Sequence, residues 1–265
     1  MPRFSVIITS FNRPVLVGQA IRTVREQTFG DFELIVADDD SHPKTIEAIY
    51  AAIGNDKRCR VIEQAGGKVG HISERSQKTR YCITINRALR EVQGEFIKYG
   101  CDDDAHYAGC LQGFVEAFDA HPEAHLAHCM QRSITCDESS YWDSRGKPKL
   151  LTSWPLPNSA HEGTHHDVPD PDSGRPLEIA SWQPGYRRPV VGLDHNMFSH
   201  RYACLEELGS DPWPVVDMDR DVGDTAVLRR FDLLGHASLA VPVLGTVKLY
   251  HGRNEDKARH SEWRE

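Results

Sequence analysis

The sequence predicts an α/β protein with a mainly parallel central sheet flanked by helices. Strand-like β-branched runs alternate with amphipathic helical stretches through the first half of the chain, the order that builds a parallel sheet with right-handed crossovers. Two of the strand-like runs lead straight into carboxylate clusters, Asp38-Asp39-Asp40 and Asp102-Asp103-Asp104. In a parallel sheet both clusters fall on one edge, at the carboxyl ends of the strands, where such sheets bind ligands.

The elements follow in order. Phe4 to Ile8 is an apolar, β-branched strand. Pro14 opens a helix whose Leu16, Ala20, Ile21 and Val24 recur at three- and four-residue spacing. Phe32 to Ala37 is the second strand, and Pro43 starts a second helix with Ile46, Ile49 and Ile53 on its apolar face. Val61 and Ile62 mark a short third strand. A long helix is expected from Ser76 to Val92, with Ile83, Ala88 and Leu89 inward, stopped by Gly94. The strand from Phe96 into the second Asp cluster follows, then a helix near Tyr107 to Ala120 and a strand near Leu126 to Gln131. Residues 137–189 are rich in Pro, Gly, Asp, Ser and His, and read as a long irregular functional loop. Beyond it, Arg201 to Leu208 and Thr225 to Leu234 read as helices, and Leu239 to Tyr250 as a late strand. The division expected is a single domain over 1–250, with a ligand-binding half at 1–131, the loop at 137–189, a second half at 190–250 and a charged tail at 251–265.

Composition narrows the function. A chain of 265 residues can bury a sizeable core, and its net charge of −8 argues against a dedicated nucleic-acid surface. No apolar run is long enough to span a bilayer, and the N-terminus lacks a signal-peptide pattern. Seven scattered cysteines with no Cys-x-x-Cys pair suit reduced thiols, so a cytoplasmic location is expected. The oligomeric state is open.

The chemistry concentrates in the Asp102-Asp103-Asp104 triplet. Adjacent carboxylates repel unless a cation sits among them, and hard oxygen donors suit Mg²⁺ or Mn²⁺, which in turn favour phosphate oxygens. An acidic helix start would show the same residues. Neither G-x-x-x-x-G-K-[ST] nor a strand-linked G-x-G-x-x-G is present, which lowers the odds of a P-loop enzyme or a dinucleotide oxidoreductase. His121, His125 and His128 stand at zinc-like helical spacing, but Pro122 interrupts any helix there, and a helix-to-strand junction is the better reading. His161, His165 and His166 fall in the loop, where metal binding would be adventitious.

Several stretches together resemble the family 2 glycosyltransferases of the GT-A fold. They are Ser5-Val6-Ile7-Ile8-Thr9-Ser10-Phe11-Asn12, Gln27-Thr28-Phe29-Gly30-Asp31-Phe32-Glu33-Leu34 and Asp38-Asp39-Asp40-Ser41. Within the family, the spore-coat polysaccharide enzymes of bacilli are similar at Glu74-Arg75-Ser76-Gln77-Lys78-Thr79-Arg80-Tyr81, at Ile85-Asn86, and at Gly94-Glu95-Phe96-Ile97 leading into the triplet. His121-Pro122-Glu123-Ala124, Leu193-Asp194-His195, His200-Arg201-Tyr202 and Gly223-Asp224-Thr225-Ala226 extend the likeness. It lapses over 137–189 and fades after Leu234.

The resemblance implies roles. Thr9, Ser10, Arg13, Asp39, Arg75 and Asp102 would bind the nucleotide of a UDP- or dTDP-sugar. Asp39 would accept from the pyrimidine ring N–H, and Arg75 would brace the base or diphosphate. Asp103, Asp104 and His251 would hold Mn²⁺ or Mg²⁺, with Asp103 the direct ligand. Asp224 would be the general base, and Asp194, after a strand, would line the acceptor side with His195. Cys101 stands where many members carry the first Asp of a D-x-D. The expected reaction is metal-dependent, inverting transfer of a sugar to an acceptor hydroxyl. Two rivals are a sugar-nucleotide pyrophosphorylase, which would want a Gly-rich turn where Thr9-Ser10-Phe11-Asn12 stands, and a catalytically silent nucleotide-sugar-binding module.

Overall fold

The structure is a computed structural model that describes residues 1–65, 80–135, 193–214 and 223–250, together with the backbone of four short strands between 153 and 188. In chain order the elements are β1 (Phe4–Ser10), α1 (Pro14–Arg25), β2 (Phe32–Asp38), α2 (Pro43–Ile53), β3 (Cys59–Ile62), α3 (Arg80–Leu89), β4 (Phe96–Cys101), β5 (Ala105–His106), α4 (Cys110–Ala120) and β6 (Leu126–Thr135). After them come β7 (Ser153–Pro155), β8 (Val168–Pro169), β9 (Pro176–Leu177) and β10 (Arg187–Arg188). A 3-10 turn (His195–Met197), β11 (Phe198–Arg201), α5 (Cys204–Leu208), α6 (Gly223–Leu233) and β12 (Ser238–Tyr250) complete the described chain.

The main sheet runs β10-β12-β6-β11-β4-β1-β2-β3. β4, β1, β2 and β3 are parallel neighbours, as are β12 and β6. Strand side chains alternate between faces, so the two sheet faces build two cores. Phe4, Val6 and Ile8 of β1 pack with Val17, Ala20 and Ile21 of α1, Ile49 of α2 and Phe114 of α4. Ile7, Ile35 and Ala37 pack the other way, against Cys82, Ile85 and Ala88 of α3, Val227 and Phe231 of α6, and Trp213. The expected apolar stripe of α1 is buried throughout, whereas on α3 Cys82 and Ile85 face the core and Ile83 is only half-buried.

The central sheet is mainly parallel, as expected, although β11 inserts antiparallel between β4 and β6, with Ser199 opposite Lys98 on one side and Ala127 on the other. Three other expectations need correction. Arg201 therefore closes a strand, and the helix expected from Arg201 begins at Cys204. The 137–189 segment is not wholly irregular: β7 pairs with β6, β10 pairs with β12, and β8 and β9 pair with each other. α3 ends at Leu89 rather than Val92, and its expected start at Ser76 lies outside the described residues. Gly94 is forced by close approach, since a Cβ there would lie 2.4 Å from the backbone nitrogen of Ser5. That contact keeps β4 hard against β1 and sets the register that aligns their carboxyl ends. Among the described residues, no helix is long and apolar enough to cross a membrane.

Candidate active site

The register of the parallel strands brings the two acidic turns together. Thr9 lies opposite Ala37 of β2 and Cys101 of β4, and Ser10 lies opposite Asp38. The turns after β1 and β2 are tied to each other. Asn12 adopts a left-handed φ of 52°, which Asn tolerates, and its side-chain oxygen accepts from the His42 backbone N–H at 2.8 Å. Its own N–H donates to the Ser41 hydroxyl at 3.0 Å. Asp39 is buried, its backbone N–H donating to the Ser10 carbonyl at 2.9 Å, and one carboxylate oxygen pairs with Arg80. Burial nevertheless outweighs Arg80 and raises the Asp39 pKa. The other oxygen, Oδ1, has no hydrogen-bond partner among the described residues, and neither does the Ser10 hydroxyl. A buried acceptor left unpaired is costly, so these atoms mark a place for a polar ligand.

The second acidic turn is organised by an arginine. Asp102 is buried, accepting from the Phe11 N–H at 2.8 Å and from Arg13 Nη1 at 2.7 Å. Burial raises its pKa, against the pull of Arg13, which also reaches Asp103 at 3.4 Å. Asp104 points inward, its carboxylate accepting from the Asn196 side-chain amide at 2.6 Å, and Asn196 is in turn bonded to Gln131 and to the buried Lys98 ammonium. Asp103 is the more open carboxylate of the three. Ligand atoms of Cys101, Asp103 and Asp104 lie within 4.8 Å of one another. Burial pushes the Cys101 thiol well above its usual range and its sulfur contacts His195 Nε2 at 2.7 Å, so Asp103 and Asp104 make up the hard-oxygen donor set. That set fits a hard divalent cation held by Asp103 with Asp104 beside it.

The third part comes from the opposite side. Gly223 opens α6 with φ 43°, and a Cβ there would lie 1.6 Å from the Tyr81 hydroxyl. Glycine is thus required twice, and the space lets Tyr81 donate to Asp224 Oδ1 at 3.1 Å. Asp224 sits in the first turn of α6. Burial alone would raise its pKa, but His195 and Tyr81 outweigh it, and the net shift is downward. His195 Nδ1 stands 3.6 Å from Asp224 Oδ2 and 3.7 Å from Asp194 Oδ1, while Nε2 is 2.7 Å from the Cys101 sulfur. His195 therefore bridges the acidic turn of β4 and the start of α6. Trp213, fully buried, packs edge-on against Tyr81 and His195, and its backbone is clasped by the Asn86 amide at 2.7 and 3.0 Å.

Asp194 leads into the 3-10 turn before β11, while residues 189–192, where the preceding strand is expected, lie outside the described residues. The Asp194 Oδ1 caps that turn by accepting from the Asn196 N–H at 3.2 Å, and Oδ2 pairs with Lys248. A carboxylate so engaged is a positioning group more than a base. Thr9, Ser10, Arg13, Asp39, Asp102, Asp103, Asp104, Asp194, His195 and Asp224 all lie along the carboxyl edge of β1, β2 and β4 or against it. Arg75 and His251 fall outside the described residues. Sequence reasoning assigned no role to Arg80 or Tyr81, although both ended a quoted stretch. It missed Asn196, Trp213 and Lys248, which carry no local motif.

A sequence profile for glycosyl transferase family 2 matches residues 5–166, more than half of the chain. Protein CgeD of Bacillus subtilis is 31% identical over 136 residues, covering 51% of this chain and 31% of that protein. The crystal structure of Staphylococcus aureus TarS 1–349 in complex with UDP-GlcNAc has a TM-score of 0.59 at 17% identity, over 94% of this chain and 59% of that one. The mannosyltransferase PcManGT from Pyrobaculum calidifontis, in complex with GDP-Man and Mn²⁺, has a TM-score of 0.58 at 16% identity, over 97% of this chain and 60% of that one. The chain thus spans only part of these relatives' lengths, and the structural likeness speaks to fold. The expected GT-A architecture is the one found, and the chain belongs to glycosyl transferase family 2.

Proposed function

We propose that the protein transfers a sugar from a UDP- or dTDP-sugar to an acceptor hydroxyl with inversion, with Asp224 as general base. The observation that carries this reading is the convergence of three unlike sites on one sheet edge. They are a buried carboxylate with an unmet acceptor atom at Asp39, an oxygen-donor cluster at Asp103 and Asp104, and an ionised carboxylate at Asp224. Asp39 Oδ1, an acceptor on the ionised carboxylate, suits the ring N–H of uracil or thymine, while Arg80 pairs with the other oxygen of the same carboxylate. Arg13 and Asp102 brace the turn beneath the ribose and diphosphate. Asp103 and Asp104 would hold a divalent cation, which when bound would supply positive charge against the departing diphosphate.

In the transfer step the acceptor oxygen attacks the anomeric carbon from the face opposite the diphosphate. The carbon–oxygen bond to the diphosphate breaks, the electron pair leaves with it, and Asp224 receives the acceptor's proton. His195 and Tyr81 keep Asp224 ionised until then, as a base must be. An Asp224 with two dedicated partners, Tyr81 and His195, favours this reading over a silent binding module.

The test is calorimetric titration with UDP, dTDP and GDP, each with Mn²⁺ and with EDTA, alongside a product assay with UDP- and dTDP-sugars. Cation-dependent binding of a pyrimidine diphosphate is expected. Equal affinity with and without the cation would remove the metal-bridged donor from the account.

A further inference from the structure

We propose a second metal site, for a zinc-class transition ion, formed by His125, Glu207 and His236 at the edge of the sheet opposite the acidic turns. The three residues come from three separate elements: the turn into β6, α5, and the turn between α6 and β12. Their ligand atoms lie within 4.8 Å of one another. Two imidazoles and one carboxylate are a donor set that zinc accepts, leaving a position for water.

The backbone holds both histidines in place before any ion arrives. The His125 carbonyl accepts from the Arg201 N–H at 2.9 Å and from the Cys204 thiol at 3.6 Å. His236 follows the C-terminal cap of α6. Its N–H donates to the Phe231 carbonyl at 2.9 Å, the Gly235 N–H donates to Asp232 at 2.9 Å, and Gly235 takes φ 78°. That pairing is a Schellman motif, which fixes the residue after the glycine. The two imidazole rings stack with centroids 4.2 Å apart, and the Glu207 carboxylate faces both, 3.1 Å from His236 Nε2 and 3.9 Å from His125 Nδ1. His125 and Glu207 are each about two-fifths exposed, so an ion can enter from solvent.

The place of the site says what it would do. Arg201 pairs with Phe96 at the amino end of β4, so His125 sits at that level, away from Cys101 at the other end of the strand. His236 lies just past one end of α6, and Asp224 lies at the other, about 16 Å away along the helix axis. A bound ion would lock α6 to β6 and α5, and so fix the helix that carries the proposed base. This consequence rests on the Asp224 reading; the metal site itself does not. The zinc spacing of His121, His125 and His128 is not its basis, since His128 is buried in β6 and bonded to Ser238 at 2.7 Å.

The experiment uses the full chain stripped with chelator, then titrated with Zn²⁺ and dialysed, with bound metal counted by elemental analysis. Glu207→Ala and His125→Gln, at half-open positions, are compared with the unaltered chain, and circular dichroism confirms folding. The unaltered chain should retain one zinc more than either variant, or bind that equivalent at least tenfold more tightly. With Co²⁺ it should show the visible bands of a tetrahedral site, lost in Glu207→Ala. Equal zinc counts and affinities in all three proteins would overturn the site. Because the acidic turns are untouched in the variants, donor binding with Mn²⁺ should be unchanged, which separates failure of this site from failure of the glycosyltransfer reading.

Discussion

Acid should destabilise this protein through one buried histidine, and the size of the effect follows from its surroundings. His200 is buried in β11 between β4 and β6. Its Nδ1–H donates to the Arg201 carbonyl at 2.8 Å, so Nε2 is the acceptor and takes a hydrogen bond from the Tyr99 hydroxyl at 2.7 Å. A second proton would have to go on Nε2, away from water and against a donor. Burial therefore lowers the His200 pKa to about 4, the carbonyl at Nδ1 opposing only in part. The folded value is depressed below the unfolded one, about 6.5. The contribution is fully present above the unfolded value and is lost as pH falls towards the folded one. At pH 5 the loss is about 2 kcal/mol, and below pH 4 it approaches about 3.4 kcal/mol, at 1.36 kcal/mol per unit. Urea unfolding of the unaltered chain and His200→Gln at pH 7.5, 6 and 5 measures it. The stability difference between the two should shift by about 2 kcal/mol in favour of His200→Gln across that range. A difference that stays constant with pH would mean the site accepts the proton without penalty, and the hydrogen-bond assignment would be wrong.

Two further outcomes concern the proposed active site directly. Asp39→Asn should weaken UDP or dTDP binding by roughly 1.5–3 kcal/mol, the worth of a charged hydrogen bond, measured by calorimetry; native affinity for GDP equal to that for UDP would remove the base-reading role. Gly223→Ala forces an L-residue into a left-handed φ, at about 1–2 kcal/mol, and displaces the Tyr81 hydroxyl from Asp224. Its transfer rate should fall at least tenfold with donor affinity retained, and an unimpaired rate would show that the Tyr81 contact is dispensable.

How much of this could be read beforehand depended on how local the signal was. β1, α1, β2 and α2 were legible because β-branched runs and helix-opening prolines declare themselves within a few residues. The parallel order then placed both acidic turns on one edge, as the register bears out. β11 was not legible, because Phe-Ser-His-Arg has no alternation and its burial comes from strands distant in sequence. In sequence Asp224 is singled out only by the family resemblance; its partners Tyr81 and His195 lie 143 and 29 residues away and appear only in the fold. Asp194 was noticed, but Lys248, which claims one of its oxygens, is on the last strand. The helix-to-strand junction expected around His125 holds, but the grouping of His125 with Glu207 and His236 was not legible, because they come from elements distant in sequence.

The central claim is that Asp224 takes the acceptor's proton, and Asp224→Asn tests it most directly. Asn preserves the shape and can still accept from the Tyr81 hydroxyl, so the melting temperature should change little. It cannot take a proton, so sugar transfer should fall by roughly 10²–10⁴-fold while donor affinity measured with Mn²⁺ stays within a few-fold. Near-native transfer by the Asn variant would contradict the account and leave Asp224 a structural carboxylate.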